Sequence, residues 1–163
     1  MGAFSEKSRG FTLYELLIVM AILSIMGTMG TVSLLGFKQR SQLSGMANII
    51  KADLNRGKIL AAKYKSYVVL QIHETSYEMF LDNGAGDATP GDWVRGEEEV
   101  RIARRDVAPS LSIFSNFPGD HLRLRGSGRI RPGTITVQGR SGKHIKLVIN
   151  AVGRVRLVDG VVK

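Results

Sequence analysis

The sequence predicts an α+β fold: one long N-terminal helix, membrane-buried in its first half and amphipathic in its second, packed on a C-terminal antiparallel β domain. Three observations carry this. Residues 16–37 hold no charged side chain. Residues 38–65 repeat apolar side chains at helical steps, and no Pro interrupts 11–65. From Tyr67 onward, short β-branched or aromatic runs of period two are punctuated by Gly, Pro, Asn and Asp. The 163 residues suffice for one modest domain, and 19 glycines against 4 prolines favour glycine-turned strands.

The first ten residues, MGAFSEKSRG, are short and polar. The run 11–37 that follows has a single charge, Glu15, and its 22 uncharged residues span about 33 Å as a helix, close to bilayer thickness. It is too long for a cleaved secretory signal and lacks a small-x-small site after it. Lys7 and Arg9 precede the run and Lys38 and Arg40 follow it, so charge alone leaves its orientation tied. Beyond Phe37, the positions Leu43, Ala47, Ile50, Leu54, Ala61 and Tyr64 form one helical stripe, with Lys51, Asp53, Arg56, Lys58 and Lys63 mostly off it. Gly45 and Gly57 weaken that helix by about 1 kcal/mol each. One continuous helix over 11–65 reaches about 80 Å.

Eight strands are predicted, at 67–73, 76–82, 98–104, 111–115, 121–125, 133–138, 144–150 and 153–158, with hairpin turns at 139–142 and 150–153. The stretch 83–96, NGAGDATPGDWVRG, is a loop by composition. Four segments result: a leader 1–10, a transmembrane half 11–37, an amphipathic half 38–65 and a β domain 66–163.

The segment Gly10-Phe11-Thr12-Leu13-Tyr14-Glu15 opens the apolar run. It resembles the G-F-T-L-x-E signal of type IV pilins and type II secretion pseudopilins at every position. The resemblance implies cleavage after Gly10 by a prepilin peptidase, on the cytoplasmic side of the inner membrane, and N-methylation of Phe11. It thereby orients the chain, with the β domain in the periplasm and later in a pilus or pseudopilus. A carboxylate near the end of a membrane helix is costly unless paired. Glu15 lies one turn from the new amine of Phe11 and, in a filament, can neutralise that amine on a neighbouring subunit.

Further along, Gly57–Lys65 and Val68-Val69-Leu70 resemble the A-R-S-E-A-I-K-R-N…V-T-L stretch of GspH/FimT proteins: Lys58, Ala61, Lys63 and Val68 fit, whereas Gly57 and Leu60 depart. Gly128-Arg129, Gly133–Val137 and Gly153-Arg154-Val155-Arg156 resemble the closing strands of the same family. Major pilins commonly carry a helix-breaking Pro where this chain reads Thr31-Val32-Ser33, which favours a minor subunit. The resemblance therefore implies a minor pseudopilin near the tip of a type II secretion pseudopilus, in contact with other subunits and with secreted cargo. The alternative is a FimT-type minor pilin of a type IV pilus that binds DNA during uptake.

Charge bears on that alternative. The formal net charge is +9, but residues 1–100 are at −1 and residues 101–163 at +10. Much of this excess lies in three Arg-x-Arg pairs: Arg123/Arg125, Arg129/Arg131 and Arg154/Arg156. On a strand, a spacing of two places both guanidiniums on one face, and neighbouring strands would turn the pairs into a phosphate-gripping ladder. Gly153-Arg154-Val155-Arg156 matches the G-R-x-R through which some FimT-type proteins bind DNA; the same residues equally suit a solvated face or a contact with another pilin. Aromatic interleaving is poor, since Trp93, Phe114 and Phe117 lie outside the Arg-rich strands.

Nothing in the sequence points to catalysis. There is no Cys, which excludes disulfides, thiolate chemistry and Cys-based zinc sites. His73, His121 and His144 stand singly, so no metal or cofactor is implied. Asp82–Asp87 lacks the spaced acids of a calcium loop, and Glu97-Glu98-Glu99 reads as a solvated strand start or a dock for a basic partner.

Overall fold

The computed structural model describes residues 11–161, without the side chains of 28–35 and 161. The expected leader 1–10, with Gly10 as the expected cleavage position, lies outside the described residues. The chain divides into two units, Met1–Lys38 and Gln39–Lys163. One helix, α1 (Leu13–Tyr64), has its first half in one and its second half in the other.

In the first unit, α1 begins on a capped turn. The Thr12 hydroxyl accepts the Glu15 N–H at 3.3 Å, and the Thr12 carbonyl accepts the N–H groups of Glu15 and Leu16. Thr12-Leu13-Tyr14-Glu15 is thus the S/T-x-x-E pattern that starts helices, with Glu15 favourably placed in the first turn. Every large apolar side chain from Leu13 to Met26 is more than 40 % exposed. A surface that apolar calls for lipid or other chains around it. Among the described residues no helix is long and apolar enough to cross a membrane; the expected membrane half, 11–37, is described only in part.

In the second unit, α1 lays Leu43, Met46, Ala47, Ile50, Leu54 and Ala61 into the core. It ends on Lys65 at φ 50°, where Ser66 N–H reaches the Ala61 carbonyl and Lys65 N–H that of Ala62, a Schellman stop. Three expectations for this stripe are corrected. Tyr64 is exposed, one turn from the end. Asp53 is buried within the stripe, because Tyr77 and Arg105 satisfy it. Gly57 is a contact rather than a defect: a Cβ there would lie 2.7 Å from Leu124 Cδ1 and 2.8 Å from Met79 Sδ.

The strands form two antiparallel sheets. Sheet A has the order β3 (Arg101–Asp106), β2 (Ser76–Asp82), β1 (Tyr67–Ile72), β5 (His121–Arg125). Sheet B has the order β4 (Leu111–Ser115), β6 (Gly133–Gly139), β7 (Lys143–Ile149), β8 (Val155–Val161). The inner faces meet one core, from Val68, Leu70, Met79 and Leu122 of sheet A to Ile113, Ile135, Val137 and Leu147 of sheet B. α1 covers it, with Gly57 against β1, β2 and β5 and Leu43 against Gly139 of β6.

Sheet B alternates buried and exposed as period two requires, but sheet A does not. In β1, Val68, Val69 and Leu70 are all buried. Val69 and Phe80, which pair across the strands, are also buried, on the face where Gly91 of the connection between β2 and β3 lies against Tyr67 and Arg123. The predicted strand 98–104 is shifted to Arg101–Asp106, since 98–100 belong to this connection.

Candidate functional site

Phe11 and Glu15, the residues expected to act in processing and assembly, are described in an isolated chain, with Phe11 82 % exposed. The cap at Thr12 starts the helix at Leu13, two residues beyond Phe11.

The six arginines are not one ladder. Arg123 and Arg125 stand on β5, the edge of sheet A, whereas Arg156 stands on β8, the edge of sheet B, with Arg154 just before it. Val155 and Leu157 pack toward the core, so Arg154 and Arg156 project to the outer face of sheet B, where Arg156 pairs with the exposed Val148. Lys146 shares that face, opposite Val158. The turn before it is pinned. Lys58 donates to the Gly153 carbonyl at 2.7 Å, and the Asn150 side chain accepts Arg154 N–H at 2.8 Å. Burial holds the Lys58 ammonium below its ordinary pKa.

The other four arginines converge. Ile130 is buried, bridges Leu124 and donates its N–H to Ala151 at 3.0 Å. Alternation about this anchored Ile turns Arg129 and Arg131 outward beside Arg123 and Arg125. Together with Trp93, His121, Pro118 and Ala151 they line a cleft of about 580 Å³ that contains no acidic side chain.

Trp93 comes from the loop 83–100, far from the Arg-rich strands in sequence, and it corrects the expected lack of aromatics. Its ring lies 3.7 Å from the Arg123 guanidinium, which also stacks at 4.6 Å on Tyr67 and donates to the Gly91 carbonyl. With Trp93 39 % exposed, such a cation–π contact is worth about 0.5–1 kcal/mol. His121 meets the Trp93 ring edge-on at 6.4 Å. Arg125 stacks more loosely on Tyr67, at 5.5 Å.

Two buried carboxylates hold this loop. Asp82 accepts the N–H groups of Gly91 and Trp93. Glu99 accepts those of Asn83 and Gly84 at 2.9 Å and that of Gly96 at 3.0 Å. The Asp82 end of the supposed calcium-like loop is therefore occupied by peptide dipoles. Among the described residues no three His, Cys, Asp or Glu groups gather at metal-ligand spacing. Trp93 itself sits at φ 72°, a left-handed conformation that a bulky residue adopts only when its surroundings impose it.

A third polar cluster joins α1 to sheet A. Tyr77 donates to Asp53 at 2.7 Å, and Arg105 Nε donates to the same oxygen at 3.0 Å. Burial, reinforced by the Asp53 carboxylate, pushes the Tyr77 phenol well above its ordinary pKa. The Asp53 hydrogen bond and charge likewise raise Arg105. The sequence pattern showed none of these partners; the one available signal was a sole tryptophan in an otherwise polar, glycine-rich loop.

Residues 6–31 match the family described as the prokaryotic N-terminal methylation motif. No curated protein sequence matches the chain. Among solved structures, the fold is similar to the minor pseudopilin EpsH of the Vibrio cholerae type 2 secretion system (TM-score 0.57, 11 % identity, covering 72 % of this chain and 97 % of that one). It is similar to the type IV minor pilin FimU of Pseudomonas aeruginosa (0.57, 15 %, 75 % and 92 %). It is also similar to Escherichia coli GspH (0.56, 16 %, 73 % and 89 %). The chain therefore carries the N-terminal methylation motif at its start, and its fold is similar to those of solved minor pilins and pseudopilins.

Proposed function

We propose that the chain is a minor pseudopilin of the GspH/FimT kind, seated near the tip of a type II secretion pseudopilus. Prepilin peptidase cuts after Gly10 at the cytoplasmic face of the inner membrane and methylates Phe11. The apolar half of α1 then passes from lipid into the filament core, and the β domain faces the periplasm, toward neighbouring subunits or cargo. The observation that carries this reading is the N-terminal half of α1: a capped helix with Glu15 in its first turn and apolar side chains exposed all round. Such a helix finds partners only in lipid or in other subunits, and Glu15 finds a counter-charge in a neighbour's Phe11 amine.

Processing and assembly separate experimentally. Glu15→Ala is expected to be cleaved normally but to be absent from sheared pseudopili, whereas Gly10→Val is expected to accumulate uncleaved precursor. A cleaved and fully incorporated Glu15→Ala variant would falsify the pairing role.

The second reading, a FimT-type pilus subunit that captures DNA, is favoured by Arg154, Arg156 and Lys146 sharing the outer face of sheet B. Phosphate contacts there make duplex affinity fall steeply with salt, and Arg154→Ala with Arg156→Ala flattens that slope. Binding unchanged in the double variant removes this reading.

A further inference from the structure

We propose that the cleft between β5, the loop 83–100 and the segment 126–131 is a docking socket for an acidic polypeptide segment of another protein, one apolar anchor flanked by Asp or Glu. This inference is independent of which machine the subunit serves.

The socket is prebuilt. Trp93 is held at a positive φ by Asp82, itself fully buried, and is backed on one face by Arg123. Strain of this kind, fixed by a buried carboxylate, keeps an aromatic wall in place before any ligand arrives. Arg123 is engaged by the Gly91 carbonyl and by two rings, so it is part of the wall. Among the described residues, the side chains of Arg129 and Arg131 make no hydrogen bond or ion pair, and the Arg125 side chain makes only its loose stacking contact. Three guanidiniums are therefore free to take carboxylates bidentately, and no acid in the lining competes with the ligand.

The rest of the lining decides between polyanions. Trp93, Pro118, Ile130 and Ala151 give the cleft an apolar floor beside its arginines. A phosphodiester strand wants a track of cations and stacking platforms along its length. A concave pocket of about 580 Å³, part apolar and part guanidinium, fits instead one apolar side chain with acidic neighbours. Trp and Arg are also the residues that most often dominate protein interfaces.

The test uses the mature full-length chain in nonionic detergent. Trp93 is the sole tryptophan, so its emission reports directly on the cleft. The probe is a short peptide with a central Phe and Asp on both sides, labelled for anisotropy. Its controls are the same peptide with Asn for Asp and an oligothymidylate. The acidic peptide is expected to shift Trp93 emission and bind in the micromolar range, weakening with salt. Binding should fall about tenfold in Arg129→Ala or Arg131→Ala and in the Asn peptide. It should stay unchanged in Arg154→Ala/Arg156→Ala. Three results overturn the proposal: peptide affinity indifferent to Arg129 and Arg131, oligothymidylate bound more tightly than the peptide through those same arginines, or Trp93 emission that changes only with protein concentration, which assigns the cleft to a second copy of this chain.

Discussion

Gly57 and Gly45 occupy the same helix and have the same intrinsic cost, yet they should respond oppositely to a methyl group. Around Gly45 a new Cβ meets nothing within 4 Å. Gly45→Ala therefore gains the helix-propensity difference, about 1 kcal/mol. Around Gly57 the Cβ would meet Leu124 Cδ1 at 2.7 Å, Met79 Sδ at 2.8 Å and Val68 Cγ1 at 3.3 Å. All three belong to side chains with no exposure, so none can swing into solvent. Overpacking of this order costs about 1–3 kcal/mol, which cancels or exceeds the propensity gain. The two variants should then differ by about 2 kcal/mol, or roughly 8 °C in melting temperature for a domain of this size. Far-ultraviolet circular dichroism melts in one detergent measure both. Leu124→Val in the Gly57→Ala background removes the tightest contact and should recover part of the loss. If Gly57→Ala melts as high as Gly45→Ala, α1 does not cross sheet A at that residue.

Tyr77→Phe leaves Asp53 buried with Arg105 as its one remaining partner and should cost about 1–3 kcal/mol in urea unfolding. The same pair dictates a pH dependence. The folded-state pKa of Tyr77 is raised above the unfolded value near 10.0, so its contribution is intact below that pH and is lost as alkali ionises the folded phenol. Wild-type stability should fall more steeply than that of Tyr77→Phe above pH 10.0, read from unfolding midpoints; parallel profiles would discard the argument. Asp82→Ala removes the acceptor for Gly91 and Trp93 N–H, so acrylamide should quench Trp93 more strongly while the core melts nearly unchanged. Lys58→Met breaks the contact with the Gly153 carbonyl and should raise amide exchange at Gly153 and Arg154, with little change in β1.

The elements were legible from the change of sequence pattern after Tyr64, from helical spacing to short β-branched and aromatic runs bounded by turn residues. The helix expected over 11–65 is observed at Leu13–Tyr64, and seven of the eight strands lie within about two residues of their predicted bounds at the start. What could not be read was anything that depends on a face being covered from outside. A period-two rule assumes one wet face, yet Val69 and Phe80 are as buried as Val68 and Leu70. Helical spacing marked the stripe but treated Asp53 as polar and Gly57 as weak. Their roles come from Tyr77, Arg105, Leu124 and Met79, partners distant in sequence. The arginines were visible as residues, but not their grouping, because strand order decides which edges carry them.

That grouping changes what the basic excess means. A net charge of +10 over residues 101–163 suggests one polyanion surface, but nine of its thirteen basic side chains divide among three fates. Arg105 and Arg101 are committed to Asp53 and Glu78, and Arg123 to a carbonyl and two rings. Arg154, Arg156 and Lys146 stand on the open face of sheet B. Arg125, Arg129 and Arg131 stand in an aromatic-walled cleft on the other sheet's edge. Long-range steering sums over all of these charges, whereas a bidentate contact depends on two or three guanidiniums that are free at one place. Paired Arg-to-Ala variants on the two surfaces should therefore lose similar amounts of salt-dependent on-rate toward any acidic partner. Only the cleft pair should shorten the lifetime of a complex that buries a side chain against Trp93.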